Sequence, residues 1–267
     1  AVAAPSEDGV LVWSWTAENG ELLDAGLLDG TARTVWGDNL FDYISEPTLK
    51  NSKLIWNKSK SKSKSFDSNI LKSTKDPHQK NGGLKMLKGN IGRGVIKISA
   101  VNIDQQKIKA PAMVFDNQID VKEAYDKGLL NRDVVIVVRF QGPKANGMPE
   151  LHALTPILSN IQDLGFKVAL LTDGRMSGAS GKVPAAIHIT PEAMDNGVIG
   201  KIKDGDEIEI DAISGHINLN ENYADRALKF PNDRNDESSF GRNLFSLLRQ
   251  NATNAENGAG LNIIDTH

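Results

Sequence analysis

Two short runs, Val134-Val-Ile-Val-Val-Arg-Phe140 and Phe166-Lys-Val-Ala-Leu-Leu-Thr172, are nearly unbroken in aliphatic, mostly β-branched residues, and each ends in a glycine-rich loop. Runs of this length are strands, and a strand apolar on both faces must be covered on both. Gly94-Val-Ile-Lys-Ile-Ser-Ala-Val101 reads as a third strand. Helices are predicted between them over residues 120–130 and from Thr155-Pro156, where a threonine cap and a proline at the first helical position open a segment that Gly165 closes. Thr190-Pro191-Glu192 repeats that opening, with Asn196-Gly197 as the stop. Strands alternating with helices predict parallel α/β units.

Beyond residue 200 the pattern changes. Asp204-Gly-Asp206 is a turn, Glu207-Ile-Glu-Ile-Asp-Ala212 alternates, and Ser214-Gly215 leads into His216-Ile-Asn-Leu-Asn220, an antiparallel hairpin with one wet face. The sheet is therefore mixed. A last amphipathic helix is predicted over residues 239–250, followed by a fraying Asn/Ala/Gly-rich stretch at 251–260. The first 75 residues differ from the rest. They hold Trp13, Trp15, Trp36 and Trp56 and the alternating tract Asn57-Lys-Ser-Lys-Ser-Lys-Ser-Lys-Ser65, which cannot bury a face and reads as a solvated linker. Two segments follow, 1–75 and 76–267. The three tryptophans nearest the start are expected to seek burial through self-association.

Charge and cysteine content exclude several functions. With 31 Lys+Arg against 34 Asp+Glu, the net charge of −3 gives no bulk field for nucleic acid or an anionic membrane. The apolar stretch over residues 10–15 is too short for a secretory core or a membrane span, which predicts a cytoplasmic location. The chain has no cysteine, so it offers no disulfide, thiolate zinc site, cysteine nucleophile or all-cysteine iron–sulfur site.

The chemistry is expected in the loops that follow the two buried strands, since open α/β sheets bind ligands at their carboxyl ends. These are Gln141-Gly-Pro-Lys-Ala-Asn-Gly-Met-Pro-Glu-Leu-His152 and Thr172-Asp-Gly-Arg-Met-Ser-Gly-Ala-Ser-Gly-Lys182. Three standard motifs fail in the second. A phosphate loop ending at Gly181-Lys182 needs glycine where Met176 stands and Ser or Thr where Val183 stands. The intervals between Gly174, Gly178 and Gly181 do not fit a dinucleotide fingerprint, and neither Ser177 nor Ser180 has glycines two residues away on both sides, as a hydrolase elbow requires. What remains is a loop whose glycines let backbone N–H groups approach a ligand, with Arg175 and Lys182 to balance an anion and two hydroxyls; a tight strand-to-helix turn without ligand is the alternative. In the first loop Glu150 is either a ligand for a hard cation such as magnesium or a carboxylate at a helix N-terminus, and His152 is a neighbour of the site or a cap. Five scattered histidines make no transition-metal cluster.

Three long segments, Gly82-Gly-Leu-Lys-Met-Leu-Lys-Gly-Asn-Ile-Gly-Arg-Gly-Val-Ile-Lys-Ile-Ser-Ala-Val101, residues 139–152 and residues 172–188, resemble the dihydroxy-acid/phosphogluconate dehydratase family in order and interval. The resemblance runs from about Glu21 to Gly260. Met176, Ala179-Ser180 and Lys182 favour the sugar-acid branch over the dihydroxy-acid branch, whose serine loop reads Asp-Gly-Arg-Phe-Ser-Gly-Gly. It implies a hydro-lyase that removes water from a 2,3-dihydroxy acid to give a 2-keto-3-deoxy acid, with 6-phosphogluconate of the Entner–Doudoroff route as the sugar-acid substrate. It implies Ser177 as the base and Glu150 as a magnesium ligand; Arg175, Gly178, Ser180 and Lys182 are candidates for substrate binding. The fold it implies is a mixed-sheet, swivelling β/α barrel-like C-terminal domain preceded by a remnant of the N-terminal domain. The family's 4Fe–4S cluster and Mg²⁺ depend on cysteines and most metal ligands of an amino-terminal half that this sequence lacks. The chain is therefore expected to retain neither cofactor and to be inactive alone, the full enzyme being a homodimer. A sugar-acid phosphate binding module, or a structural half working with a separate amino-terminal half, are the alternatives.

Overall fold

The computed structural model describes residues 20–35, 37–58, 67–78, 83–177, 182–231 and 243–261. The chain separates into two compact units, Ala1–Asn81 and Gly82–His267. In the first, β1 (Ser45–Lys50) and β2 (Lys53–Lys58) pair antiparallel. Asn51 and Ser52 both take left-handed backbone, at φ 51° and 59°, as a two-residue hairpin turn requires. Leu49, Leu54, Ile55 and Trp56 remain exposed on this ribbon. The Glu21 carboxylate accepts hydrogen bonds from the Thr74 amide (2.7 Å) and hydroxyl (3.1 Å). Asn57 and Lys58, which open the Lys/Ser tract, belong to β2; residues 59–65 of that tract, with Trp13, Trp15 and Trp36, lie outside the described residues.

The second unit is a closed, mixed eight-stranded barrel. Its strands are β3 (Leu84–Gly89), β4 (Gly92–Lys97), β5 (Lys107–Phe115), β6 (Val134–Val138), β7 (Val168–Thr172), β8 (Ala185–Thr190), β9 (Glu207–Asp211) and β10 (His216–Leu219). Around the barrel they run β10-β3-β4-β8-β7-β6-β5-β9. β5 to β8 form a parallel run, while β3–β4, β4–β8, β5–β9 and β9–β10 are antiparallel. Every residue of β6 and β7 is buried, which explains their unbroken apolar sequences. Val135, Val137, Ala169 and Leu171 face the barrel interior with Leu87, Ile108 and Ile210. Val134, Ile136, Val138, Val168 and Leu170 face outward, under α1 (Gln118–Asp126) and α3 (Leu154–Asp163) through Val121, Leu154, Leu158 and Ile161.

The barrel closes where β3 meets β10 through one parallel pair, His216 with Lys88. Asn90 extends that seam with its side chain: Nδ2 donates to the Leu219 carbonyl (2.8 Å), and Oδ1 accepts the Leu219 amide (2.7 Å), as a neighbouring strand would. Gly89 is required here, because a Cβ would stand 1.7 Å from the Ile217 carbonyl oxygen.

Several local expectations are corrected. The strand expected over residues 94–101 is β4, which begins at Gly92, ends at Lys97 and pairs with β3 as a hairpin. α1 starts at Gln118, where the Asn117 side chain accepts the amides of Ile119 and Asp120 (2.9 Å each), and it stops at Asp126. α3 starts at Leu154, ahead of Thr155, with no side-chain cap, and Gly165 at φ 94° follows its end. No α-helix forms after Thr190-Pro191; the segment makes two 3₁₀ turns, Ala193–Asp195 and Val198–Lys201, with Asn196 left-handed between them. The hairpin of β9 and β10 forms as expected. The last helix is short, α4 (Ser246–Gln250), and residues 239–242 lie outside the described residues. No helix among the described residues is long and apolar enough to cross a membrane.

Candidate active site

β6 and β7 are parallel neighbours in register, with Val138 opposite Thr172, so the loops that leave their carboxyl ends lie side by side. The first turns at once into α2 (Pro143–Asn146). Its path is set by buried polar groups. Asp173, fully buried, accepts the amides of Phe140 (3.2 Å), Gln141 (2.8 Å) and Ala193 (2.9 Å). One carboxylate therefore ties the β6 loop, the β7 loop and the turn after β8, and it holds Phe140 at φ 59°. Burial raises its pKa from 3.8 to about 6 against the opposing pull of those amides. Glu192, equally hidden from solvent, accepts the amides of Lys144 and Ala145 at the start of α2. Burial, then the charges of Asp173 and Asp195, lift it to about 7. Arg139 completes the frame with Nε on Asp116 (2.7 Å) and Nη1 on the carbonyls of Gly200 (2.9 Å) and Ile202 (3.1 Å).

The residues singled out in the sequence meet on this frame in part. Glu150 and Arg175 form a one-residue parallel bridge between the two loops. The Arg175 guanidinium donates from Nη1 to Glu150 Oε2 (3.1 Å) and from Nε to the Met148 carbonyl (2.7 Å). Glu150 Oε1 accepts the Ser177 amide. Ser177, Arg175 and Glu150 are therefore one cluster, with Ser177 exposed. Met176, between them, turns inward against the outer core, and the Thr155 hydroxyl lies 3.7 Å from its sulfur. Lys182 is not part of the cluster; its ammonium is 4.0 Å from Asp163 at the end of α3, with both side chains largely exposed. Gly178 and Ser180 lie outside the described residues, and His152 is exposed just ahead of α3.

His188 joins the site without having been singled out. It sits on β8 at φ 58°, where the β4–β8 register shifts, and its amide donates to the Gly174 carbonyl (2.9 Å). Partial burial, and then the Arg175 charge, lower its pKa, which favours the neutral ring. Asp173 and Glu192 were also missed as determinants of the site. A carboxylate directly after a wholly buried strand was the available signal for Asp173; nothing local distinguishes Glu192. A cavity of about 530 Å³ lies between α2 and the segment around α4, lined by Pro143, Met148, Phe245, Leu248 and Leu261 among others. Asn146 and Arg249 also line it.

The donor set does not build a cofactor site by itself. Magnesium takes about six oxygen ligands in near-octahedral array, and the cluster offers one carboxylate whose two oxygens already have protein partners. Among the described residues no group of three or more His, Asp or Glu could hold a metal ion. A thiolate-bound cluster has no ligand anywhere in this sequence.

Comparison with known proteins bears on this arrangement. The model of the family described as "Dihydroxy-acid/6-phosphogluconate dehydratase C-terminal" matches residues 69–259. The chain is 50% identical over 242 residues to a phosphogluconate dehydratase of Escherichia coli (strain K12), covering 90% of this chain and 40% of the relative. It is 46% identical over 242 residues to one of Pseudomonas aeruginosa, covering 90% and 39%. A dihydroxy-acid dehydratase of Caldanaerobacter subterraneus is 33% identical over 242 residues, again 90% of this chain and 40% of the relative. The chain thus spans about two fifths of the length of the curated relatives it matches. By the match over residues 69–259, the chain belongs to the dihydroxy-acid/6-phosphogluconate dehydratase family through its C-terminal domain.

Proposed function

We propose that this chain is the C-terminal portion of a hydro-lyase that converts 6-phosphogluconate to 2-dehydro-3-deoxy-6-phosphogluconate, and that it is inactive without an amino-terminal half. The observation that carries the reading is the identity of 46–50% to phosphogluconate dehydratases, against 33% to a dihydroxy-acid dehydratase, over the same 90% of the chain. The cluster of Glu150, Arg175 and Ser177 supports it. In the reaction the Ser177 alkoxide takes the proton from C2, hydroxide leaves C3 and takes up that proton as water, and the resulting enol shifts its hydroxyl proton to C3 as it becomes the 2-keto acid. A serine hydroxyl is a poor base, and the Glu150 carboxylate on its own amide makes an alkoxide harder still to form. The Arg175 guanidinium is already paired with Glu150, so further positive charge must reach this site. When bound, a cation or cluster would supply that charge, and most of its ligands, Glu150 apart, would come from residues of the amino-terminal half.

The remaining assignments follow from the same reading. Gly178, Ser180 and Lys182 hold the substrate's anionic groups. The barrel acts as a swivelling domain, residues 1–75 are the end of the amino-terminal domain, and the full enzyme is a cytoplasmic homodimer. The test is complementation. An anaerobically reconstituted amino-terminal half of a phosphogluconate dehydratase, mixed with this chain, is expected to dehydrate 6-phosphogluconate in clear preference to a 2,3-dihydroxy branched acid. Preference for the branched acid moves the chain to the other branch. Substrate binding without turnover in the mixture makes it a binding module and overturns the reading.

A further inference from the structure

We infer that Arg175 is a positioning residue that sets Ser177, through Glu150, and not a ligand for the substrate's anion. The inference rests on the reading of Ser177 as the base. Four contacts carry it. The Leu151 amide donates to the Arg175 carbonyl (3.1 Å), which joins the two loops by their backbones. The Arg175 side chain then returns across the same junction, with Nε on the Met148 carbonyl at 2.7 Å and Nη1 on Glu150 Oε2 at 3.1 Å. The other oxygen of Glu150 accepts the Ser177 amide, two residues beyond Arg175. The ring is closed: Arg175 holds the carboxylate that holds Ser177.

The backbone is bent to suit this ring. Gly147 and Met148 are consecutive left-handed residues, at φ 71° and 54°. For methionine that conformation is unfavourable, and the Nε bond to its carbonyl helps to hold it. Met176 turns its side chain into the outer core while its neighbours face solvent, so the loop is anchored on both sides of the serine's approach. A half-exposed ion pair contributes little by itself. A planar fork that engages a carbonyl and a carboxylate together fixes direction as well as distance, which a lysine ammonium at this position could not do.

The test has two arms. In the chain alone, hydrogen exchange followed by NMR is expected to show the Ser177 and Leu151 amides exchanging at least tenfold faster in Arg175→Met, with the amides of β7 unchanged and Arg175→Lys restoring protection only in part. Glu150→Gln should speed Ser177 more than Leu151. Unchanged Ser177 exchange in Arg175→Met, with β7 still protected, overturns the inference. In the complemented enzyme, Arg175→Met is expected to lower kcat more than tenfold with KM for 6-phosphogluconate within about twofold. A large rise in KM at constant kcat would assign Arg175 to the substrate instead. The exchange arm needs no turnover, so failure of the dehydratase reading leaves it intact and distinguishable.

Discussion

Asp173→Ala is expected to destabilise the barrel unit by about 3 kcal/mol at pH 7, and by more at pH 5. The substitution leaves three buried amides, those of Phe140, Gln141 and Ala193, without their acceptor, and an unsatisfied buried donor costs about 1–3 kcal/mol. Part of that loss is recovered, because the wild-type carboxylate is itself held out of water. The pH dependence follows from the same burial. The folded-state pKa of about 6 lies above the ordinary 3.8, so between pH 4 and 6 the folded chain binds the Asp173 proton more tightly than the unfolded chain does. Wild-type stability from this group is complete below pH 4 and is lost as the pH rises through 6. Alanine has no proton to bind, so the gap between the two proteins should widen from pH 7 to pH 5. Urea denaturation across that range checks both statements. Glu192, raised to about 7 partly by the Asp173 charge, should titrate lower in the variant, which NMR can follow directly.

Ser177→Ala should abolish dehydration in the complemented enzyme while leaving the fold untouched. A positioned general base contributes roughly 10²–10⁴-fold, so kcat is expected to fall by at least a hundredfold with little change in KM. The side chain is exposed, and a surface truncation of this kind shifts stability by about 0.5 kcal/mol or less. Equal thermal midpoints would therefore place the loss in chemistry. Activity equal to wild type would remove Ser177 from the base position and leave Glu150 and Arg175 as a loop clasp without a catalytic client.

The two central strands were legible because both of their faces are buried, which removes polar residues from every position but the ends. β5 was not. Lys107-Ile-Lys-Ala-Pro111 carries lysines on its outer face and a proline within the strand, a pattern that argues against a strand in a closed sheet. It is accommodated because β9 runs antiparallel beside it and pairs Lys107 with Asp211 and Lys109 with Glu207. Thr190-Pro191-Glu192 has the same opening as Thr155-Pro156 and a different outcome. The Glu192 carboxylate turns back to the amides of α2, and Asn196 reverses the chain after a single turn.

For the site, Glu150 and Ser177 were legible as types and through the family resemblance, but not as neighbours. They are 27 positions apart, and only the parallel register of β6 and β7 brings their loops together. Arg175 in a glycine loop reads as an anion binder, and the sequence does not reveal that a carboxylate from the other loop meets it. Nor does the sequence reveal that Lys182 lies beside Asp163 at the end of α3. His188 was invisible because its place depends on a register shift between β4 and β8.

The central claim is that this chain holds the serine and one metal-binding carboxylate of a dehydratase whose cluster belongs to another part. The most direct measurement is turnover of 6-phosphogluconate by the chain alone, purified anaerobically and supplied with iron, sulfide and Mg²⁺. The account predicts no keto acid above the uncatalysed background, with activity appearing only when an amino-terminal half is added. Formation of 2-dehydro-3-deoxy-6-phosphogluconate by the isolated chain, abolished by Ser177→Ala, would contradict it.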